Sequence, residues 1–108
     1  MSIPVPLNEL GATLAAYPWG YLVTVSDDMR PHSLAVPTRF EGGSLRVTAG
    51  RSSLHNIVAR PEVMMVFPHP TASEYSLIVD GTASVDGGEV MLITGHAVLH
   101  RPALRPGG

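Results

Sequence analysis

The sequence contains no cysteine and no lysine. Without cysteine the chain has no disulfide bridge, no iron–sulfur ligand, no cysteine-based zinc site and no cysteine nucleophile. All seven basic residues are arginine, so a Schiff-base lysine and the lysine of a Walker-type phosphate loop are excluded as well. Any chemistry that this protein performs therefore depends on other side chains or on a bound cofactor.

The sequence also lacks a large excess of either charge and a long apolar run. The formal net charge is −2 and the arginines are spread along the chain, so nothing indicates binding to nucleic acid. No apolar run approaches the roughly 20 residues that span a bilayer, and the N-terminus does not have the pattern of a signal peptide. We therefore expect a cytoplasmic protein that binds neither nucleic acid nor a membrane.

Length and hydrophobicity predict a single domain over residues 1–108. The chain is 44% hydrophobic, which excludes a disordered protein and favours burial of part of its apolar surface against a partner. We predict an extended N-terminus at 1–6 and a flexible tail at 102–108. A first helix is expected at 7–16, capped by Asn8. A second helix of about two turns is expected to be capped by Ser52 or Ser53 and to end at Arg60-Pro61.

The remaining segments predict a mainly β domain. Six antiparallel strands are expected at 21–25, 34–40, 45–48, 63–67, 75–86 and 90–94, the last one continuing at 97–99 after a break at Gly95. Six strands in so short a chain favour a closed barrel, because closure removes exposed sheet edges. Segment 63–67 is apolar at every position, so we expect a partner subunit to cover one of its faces.

Several short segments in this order resemble the pyridoxamine 5′-phosphate oxidase-like family. They are Gly20–Val25, Arg30-Pro31-His32, Asn56-Ile57, Arg60–Val63 and Val79–Ala83, and the resemblance covers residues 7–86. It implies a six-stranded antiparallel split β-barrel of the FMN-binding type, which forms a homodimer with two cofactor sites at the subunit interface.

The resemblance also implies a flavoprotein. The implied function is that of an oxidoreductase that transfers hydride through FMN, with a deazaflavin coenzyme as the alternative cofactor. A second hypothesis is a non-catalytic module that carries a flavin or haem, or a dimeric scaffold without a cofactor. No catalytic side chain is predicted, because in such enzymes the cofactor supplies the chemistry.

The family's cofactor site can be placed on this chain residue by residue. The resemblance implies that the flavin ring contacts Val36, Pro37 and Thr38, and that the phosphate lies near Thr48, Ala49, Gly50, Arg51, Ser52 and Ser53, with His55 and Asn56 behind them. The free N–H groups of a helix N-terminus and a guanidinium fork both suit a phosphate.

The chain departs from the family pattern at the phosphate. Ser52-Ser53 stands where the enzyme that names the family has an Arg-Lys pair, and Ser33 stands where a basic residue is expected. Arg51, with Arg39 or His55, is left to neutralise the phosphate.

His96 and His100 are the only histidines with a spacing that suggests a metal site. On a strand they would share one face about 13 Å apart, at ~3.3 Å per residue, and no cysteine or adjacent carboxylate accompanies them. We therefore predict no metal site, and keep a single histidine as a candidate haem ligand.

Overall fold

The computed structural model describes residues 1–71 and 73–103. They form one β-sheet and two short α-helices, the first of which follows a 3-10 turn at Leu7–Glu9. In chain order the elements are β1 (Ser2–Pro4), α1 (Leu10–Leu14), β2 (Trp19–Val25), β3 (Pro31–Pro37), β4 (Arg39–Glu41), β5 (Ser44–Thr48), α2 (Arg51–Ala59), β6 (Glu62–Phe67), β7 (Ser76–Asp86) and β8 (Glu89–His100).

All strands belong to a single antiparallel sheet with the order β3-β2-β6-β7-β8-β5-β4, and β1 pairs with the end of β8. The mainly β class and the antiparallel arrangement are confirmed. The predicted number of six strands is wrong, because residues 1–71 and 73–103 already form a sheet of eight. The predicted closed barrel is also wrong, because within the described residues the end strands β3 and β4 do not pair. The sheet is an open, curled half-barrel, consistent with a split β-barrel.

The two strands that were not predicted are the shortest. Strand β1 lies in the N-terminal segment that was expected only to be extended, and it pairs with residues 98–100 of β8. Strand β4 exists because the predicted strand 34–40 is interrupted at Thr38, whose N–H donates to the carbonyl oxygen of Pro18 at 3.1 Å. Pro37 has no N–H to offer a neighbouring strand, which favours the interruption at this point.

The first helix is shorter than predicted and the second agrees with the prediction. Helix α1 has five residues and no side-chain cap, so the predicted cap at Asn8 is wrong. Helix α2 has nine residues and ends before Arg60-Pro61, as expected for a residue that precedes proline. None of the helices in the described ranges has the length and apolar character needed to cross a membrane.

The core lies between the inner face of the sheet and the two helices. Its fully buried side chains include Leu10 of α1, Leu22 of β2, Ile57 of α2, Met65 of β6 and Leu77 of β7. Because side chains alternate along a strand, the intervening residues of β2 and β6 face outward. The predicted tail at 102–108 lies mostly outside the described residues. Its two described members, Pro102 and Ala103, are exposed.

Strands β7 and β8 form the longest hairpin, and a β-bulge bends it. Asp80 pairs with His96 and Gly81 with Thr94, so Gly95 is an extra residue on β8. The predicted break of the strand at Gly95 is therefore wrong, because the strand continues through the bulge to His100. At Gly81 the backbone of β8 lies so close that a side chain would meet the carbonyl group of Ile93.

We predict that Gly81→Ala destabilises the fold by about 1–3 kcal/mol, the usual cost of overpacking. A Cβ at Gly81 would overlap the carbonyl oxygen of Ile93, which the ladder holds in place. Gly95→Ala is the matched control, since its Cβ would have its nearest neighbour at 3.7 Å. Urea unfolding followed by circular dichroism measures both, and equal midpoints for the two variants would contradict the close approach at Gly81.

Candidate functional site

Helix α2 begins directly after β5, with Gly50 as its N-cap residue. Gly50 is extended (φ −74°, ψ 169°), and its carbonyl oxygen accepts a hydrogen bond from the N–H of Leu54 at 3.1 Å. No side chain caps the helix, so the predicted cap at Ser52 or Ser53 is wrong. The N–H groups of the first three helical residues have no acceptor within the helix and can bind an anion.

Asn56 attaches the middle of α2 to strand β2. Its side chain is 4% exposed, and its Nδ2 donates to the hydroxyl oxygen of the buried Thr24 at 3.0 Å. Losing such a bond leaves a buried polar group unpaired, which costs more than the bond itself contributes. One turn earlier, the buried Ser53 Oγ has no hydrogen-bond partner within the described part of the chain. The polar inner side of α2 therefore fixes where the helix N-terminus lies.

A second attachment joins α2 to the turn between β2 and β3. The carboxylate of Asp27 lies 2.8 Å from His55 Nε2 and accepts a hydrogen bond from the Arg60 guanidinium at 2.6 Å. Arg60 also donates to the carbonyl oxygen of Val25 at 2.7 Å. The hydrogen bonds from His55 and Arg60 hold the pKa of Asp27 below its ordinary value. The β2–β3 turn and helix α2 are therefore held together as two facing walls.

Between these walls lies a groove of about 570 Å³, which we call the α2 groove. This volume lies within the range of about 300–1,000 Å³ that small-molecule sites occupy. The residues that line it are Ser26, Asp27, Asp28, His32, Arg51, Ser52, His55 and Asn56.

Arg51 differs from the other described arginines in its contacts. Arg30, Arg39, Arg46 and Arg60 each form an ion pair with a carboxylate, and Arg101 bonds a backbone carbonyl and lies over an aromatic ring. Arg51 has no ion pair with any residue of 1–71 or 73–103. Its charge is therefore free for a ligand, beside the free N–H groups of the same helix.

A smaller depression, the β3–β5 depression, lies beside the end of β3. Its volume is about 120 Å³, and its lining residues are Pro37, Thr38, Arg39, Arg46, Val47 and Thr48. Arg39 donates two hydrogen bonds to Glu89, at 2.9 and 3.1 Å. This pairing lowers the pKa of Glu89 and raises that of Arg39. Arg39 is therefore already neutralised by a carboxylate, unlike Arg51.

The structure divides the predicted cofactor residues between these two sites and the interior. Arg51, Ser52, His55 and Asn56 line the α2 groove, and Pro37, Thr38 and Thr48 line the β3–β5 depression. Val36 and Ser53 are buried, Ala49 packs against the core, and Gly50 caps α2.

Four residues of the α2 groove were not among the predicted cofactor residues. The sequence analysis assigned no site role to Ser26, Asp27 or Asp28, and His32 entered it only as part of the segment Arg30-Pro31-His32. His32 lies on β3, where its buried Nδ1 has no partner in the described ranges. No local pattern in the sequence indicates this wall, because Asp27 and His55 are 28 residues apart and come together only in the folded protein.

The two C-terminal histidines do not converge. His96 Nδ1 lies 3.6 Å from the carboxylate of Asp80, whereas His100 Nδ1 lies 2.9 Å from the hydroxyl of Ser2. Across residues 1–71 and 73–103, no three histidine, cysteine or acidic side chains are grouped so that they could hold a metal ion.

The residues present fit a flavin phosphate better than they fit a flavin ring. The α2 groove offers free N–H groups, the unpaired Arg51 and the hydroxyl of Ser52, which suit an anion. The β3–β5 depression is too small by itself for a three-ring system, since it falls below the usual range of ligand sites. A ring placed there needs a second wall.

We predict that the hydrogen bonds of Asp27 with His55 and Arg60 stabilise the fold only above acidic pH. The folded pKa of Asp27 is lowered, so its contribution is present above the unfolded pKa of about 3.9 and is lost as the pH falls through the folded pKa. Asp27→Asn should therefore unfold at lower urea concentration than the unaltered chain at pH 6. The difference should shrink below about pH 4, and a difference independent of pH would contradict this.

Comparison with known proteins identifies relatives of the chain. No protein-family model matches the sequence. The uncharacterized protein Mb0449c of Mycobacterium bovis is 34% identical over 116 aligned residues, which cover 92% of this chain and 82% of that protein. The uncharacterized protein MT0457 of Mycobacterium tuberculosis matches with the same identity and coverage.

Solved structures share the fold at lower identity. A provisionally assigned pyridoxamine 5′-phosphate oxidase of Listeria innocua has a TM-score of 0.74 at 15% identity, covering 89% of this chain and 98% of that one. An F420 reductase has a TM-score of 0.63 at 23% identity, covering 85% and 95%. The FAD-binding protein of Mycobacterium smegmatis has a TM-score of 0.66 at 15% identity, covering 94% and 100%.

A haem-binding protein of Mycobacterium smegmatis shares the fold as well, with a TM-score of 0.68 at 14% identity. The match covers 95% of this chain and 57% of that protein. These structures confirm the resemblance that the sequence predicted. The chain belongs to the same family as the two mycobacterial proteins, and its fold is that of the pyridoxamine 5′-phosphate oxidase-like split-barrel proteins.

Proposed function

We propose that this protein binds a flavin-type cofactor, FMN in the first place, and acts as an oxidoreductase that transfers hydride. The observation that carries the proposal is Arg51, an arginine without an ion pair in the described residues, at the open N-terminus of α2 and on the wall of the α2 groove. The solved structures of this fold include an F420 reductase and an FAD-binding protein, which supports a flavin-type ligand.

The phosphate of the cofactor would lie at the start of α2. The N–H groups of Arg51, Ser52 and Ser53 point out of the first turn, where the helix dipole also favours negative charge. The Arg51 guanidinium adds charge-assisted hydrogen bonds, and the Ser52 hydroxyl can donate one more. Because Arg39 is engaged by Glu89 and His55 by Asp27, the phosphate would depend mainly on Arg51 among the side-chain cations.

The ring would lie along the end of β3, against Pro37, Thr38 and Thr48. These residues line the β3–β5 depression, which offers two hydroxyl groups but little enclosed volume. When bound, a flavin supplies the hydride chemistry itself. This chain's residues would orient the ring and give it hydrogen bonds, and a second subunit would exclude water from the other side.

An exposed apolar surface is available for that second subunit. The outward-facing residues of β2 and β6 include Trp19, Tyr21 and Met64, which are 43%, 39% and 38% exposed. Tyr21 pairs with Val66, and Val66 pairs with Ile78 of β7, so the surface is a continuous band across three strands. We call it the outer apolar band, and we propose that the homodimer forms through it. Large aromatic residues usually lie buried at the centre of a stable interface.

A non-catalytic carrier is the second candidate function, and the charge of the α2 groove favours it. The groove is lined by two carboxylates, Asp27 and Asp28, and by one arginine, so it provides few cations for a phosphate. The haem-binding protein of the same fold shows that the fold also serves ligand binding. The two candidates separate in an anaerobic stopped-flow assay with a nicotinamide donor. An enzyme's bound flavin is reduced rapidly by the donor and is reoxidised when an electron acceptor is added, so that the cycle repeats, whereas a carrier's flavin does not complete this cycle.

We predict that Arg51→Ala lowers the affinity for FMN by about tenfold or more, because a hydrogen bond to a charged group contributes about 1.5–3 kcal/mol. Fluorescence quenching of FMN on titration with the protein measures this affinity. Riboflavin, which has no phosphate, should bind both forms equally.

Two variants control this experiment. Arg51→Lys keeps the charge without the fork and should fall between the two forms. Arg101→Ala removes the same charge at a site beside Tyr75 and should leave the affinity unchanged. Unchanged FMN affinity in Arg51→Ala would overturn the phosphate assignment.

We predict that Met64→Glu converts the dimer into a monomer, because it places an unpaired charge within the outer apolar band. Sedimentation velocity at micromolar concentration measures the mass of each form. Val58→Glu is the matched control, since Val58 is 77% exposed on α2, away from this band. A monomer before any substitution, or a Met64→Glu dimer, would contradict the proposed interface.

A further inference from the structure

A charged pair lies directly beside the outer apolar band. Asp80 on β7 is opposite His96 on β8, and its carboxylate lies 3.6 Å from His96 Nδ1. On its other side Asp80 is opposite Met64, a member of the band. The side chains of Asp80 and His96 are 50% and 62% exposed, so both face the same solvent as the band does.

The β-bulge at Gly95 brings the histidine to this face. Ile93 is opposite Thr82 and is 58% exposed, so it faces outward. Because side chains alternate along a strand, position 95 would face outward next and His96 would face the core. The extra residue of the bulge shifts this alternation by one, which turns His96 outward beside Asp80. The pairing is therefore built into the backbone of the hairpin.

The surroundings of the pair on the outer face are mainly apolar. Met64 lies beside Asp80, Ile78 and Val98 are the next outward residues in one direction along the hairpin, and Ile93 is the next in the other. A carboxylate enclosed by such side chains is costly unless a cation pairs with it. A protein surface that covers the band also removes water from Asp80, and this cost then arises.

We infer that the homodimer interface extends over the Asp80–His96 pair, and that protonation of His96 strengthens the dimer. The inference rests on the proposed homodimer and adds a charge requirement to it. In a two-fold interface both copies bring the same patch, so two uncompensated carboxylates would enter one buried surface. An imidazolium beside each carboxylate neutralises it, and the two identical faces can then pack together.

The other charged groups around the pair are occupied or lie farther along the sheet. Asp80 alone forms an ion pair with His96 within residues 1–71 and 73–103. Glu62 on β6 accepts a hydrogen bond from Thr82 at 3.0 Å, and Glu9 belongs to the 3-10 turn that packs against β8. The far end of the hairpin carries an ion-paired group formed by Arg46, Asp86 and Glu89.

The dimer dissociation constant at two pH values tests the inference. Histidine is the side chain that ordinarily changes its charge between about pH 5 and 8. We expect the dissociation constant of the unaltered chain to rise by about tenfold or more from about pH 6 to about pH 8, because His96 loses the proton that neutralises Asp80. Sedimentation velocity over a series of protein concentrations measures it.

Substitutions of the two partners should act in opposite directions. His96→Gln leaves the carboxylate without a cation, so its dimer should be as weak at both pH values as that of the unaltered chain at the higher one. Asp80→Asn removes the carboxylate and should reverse the pH dependence, because a protonated His96 then has no partner. The double variant should show no pH dependence. His100→Gln is the matched control: His100 lies on the same strand beside the hydroxyl of Ser2, and this variant should keep the pH dependence of the unaltered chain.

The results separate the inference from the homodimer itself. A dimer whose dissociation constant is the same at both pH values, or a His96→Gln variant that keeps the pH dependence, would overturn the inference while the homodimer stands. A chain that is monomeric at every concentration and at both pH values would overturn the proposed homodimer, and the inference with it.

Discussion

The hydrogen bond between Asn56 and Thr24 sets the position of helix α2, and the candidate site depends on that position. A helix of nine residues has little stability of its own, so tertiary contacts must hold it. The buried amide and hydroxyl fix the inner side of the helix, and the contacts of Asp27 with His55 and Arg60 fix its outer side to the β2–β3 turn. Both attachments leave the first turn of the helix without a side-chain cap, and Arg51 and Ser52 of that turn line the α2 groove.

The distribution of charge follows from the same arrangement. Arg60 holds the turn and Arg39 joins the edge strand β4 to β8 through Glu89, so both serve the fold. Arg51 forms no ion pair in the described part of the chain. Serines (Ser33, Ser52 and Ser53) stand where the resemblance implies basic residues, and the fold engages the other two candidates, Arg39 with Glu89 and His55 with Asp27. A ligand anion is therefore left with one arginine and the backbone N–H groups of α2.

The sequence predicted those parts of the fold that local patterns determine. The pattern of Tyr21–Val25 predicted a strand, which is present within β2. Gly42 and Gly43 lie between the predicted strands at 34–40 and 45–48, and they have the positive φ values of 58° and 81° that a tight hairpin turn requires. Strands β1 and β4 have three residues each and are held only by pairing with β8 and β5, so no local pattern predicted them. Gly95 is compatible with a break or a bulge, and only the register of β7 decides between the two.

The candidate site, like the fold, could be predicted from the sequence only where local patterns determine it. The start of α2 could be located from Gly50 and the residues that follow it, because helix signals are local. The facing wall could not be located in this way, because Asp27 and Asp28 have the local pattern of ordinary turn residues and lie beside the helix only in the folded protein. The resemblance to flavoproteins named the ring and phosphate positions, yet Val36 and Ser53 among them are buried within this chain.

A titration of the ¹⁵N-labelled protein with FMN, followed by amide correlation spectra, shows whether the first turn of α2 binds the anionic end of a flavin. We expect the amide resonances of Arg51, Ser52 and Ser53 to shift most strongly and to reach saturation with the same affinity as the FMN fluorescence. Absence of shifts, or shifts confined to residues away from the α2 groove, such as those around Tyr75 and Arg101, would contradict this mode of binding.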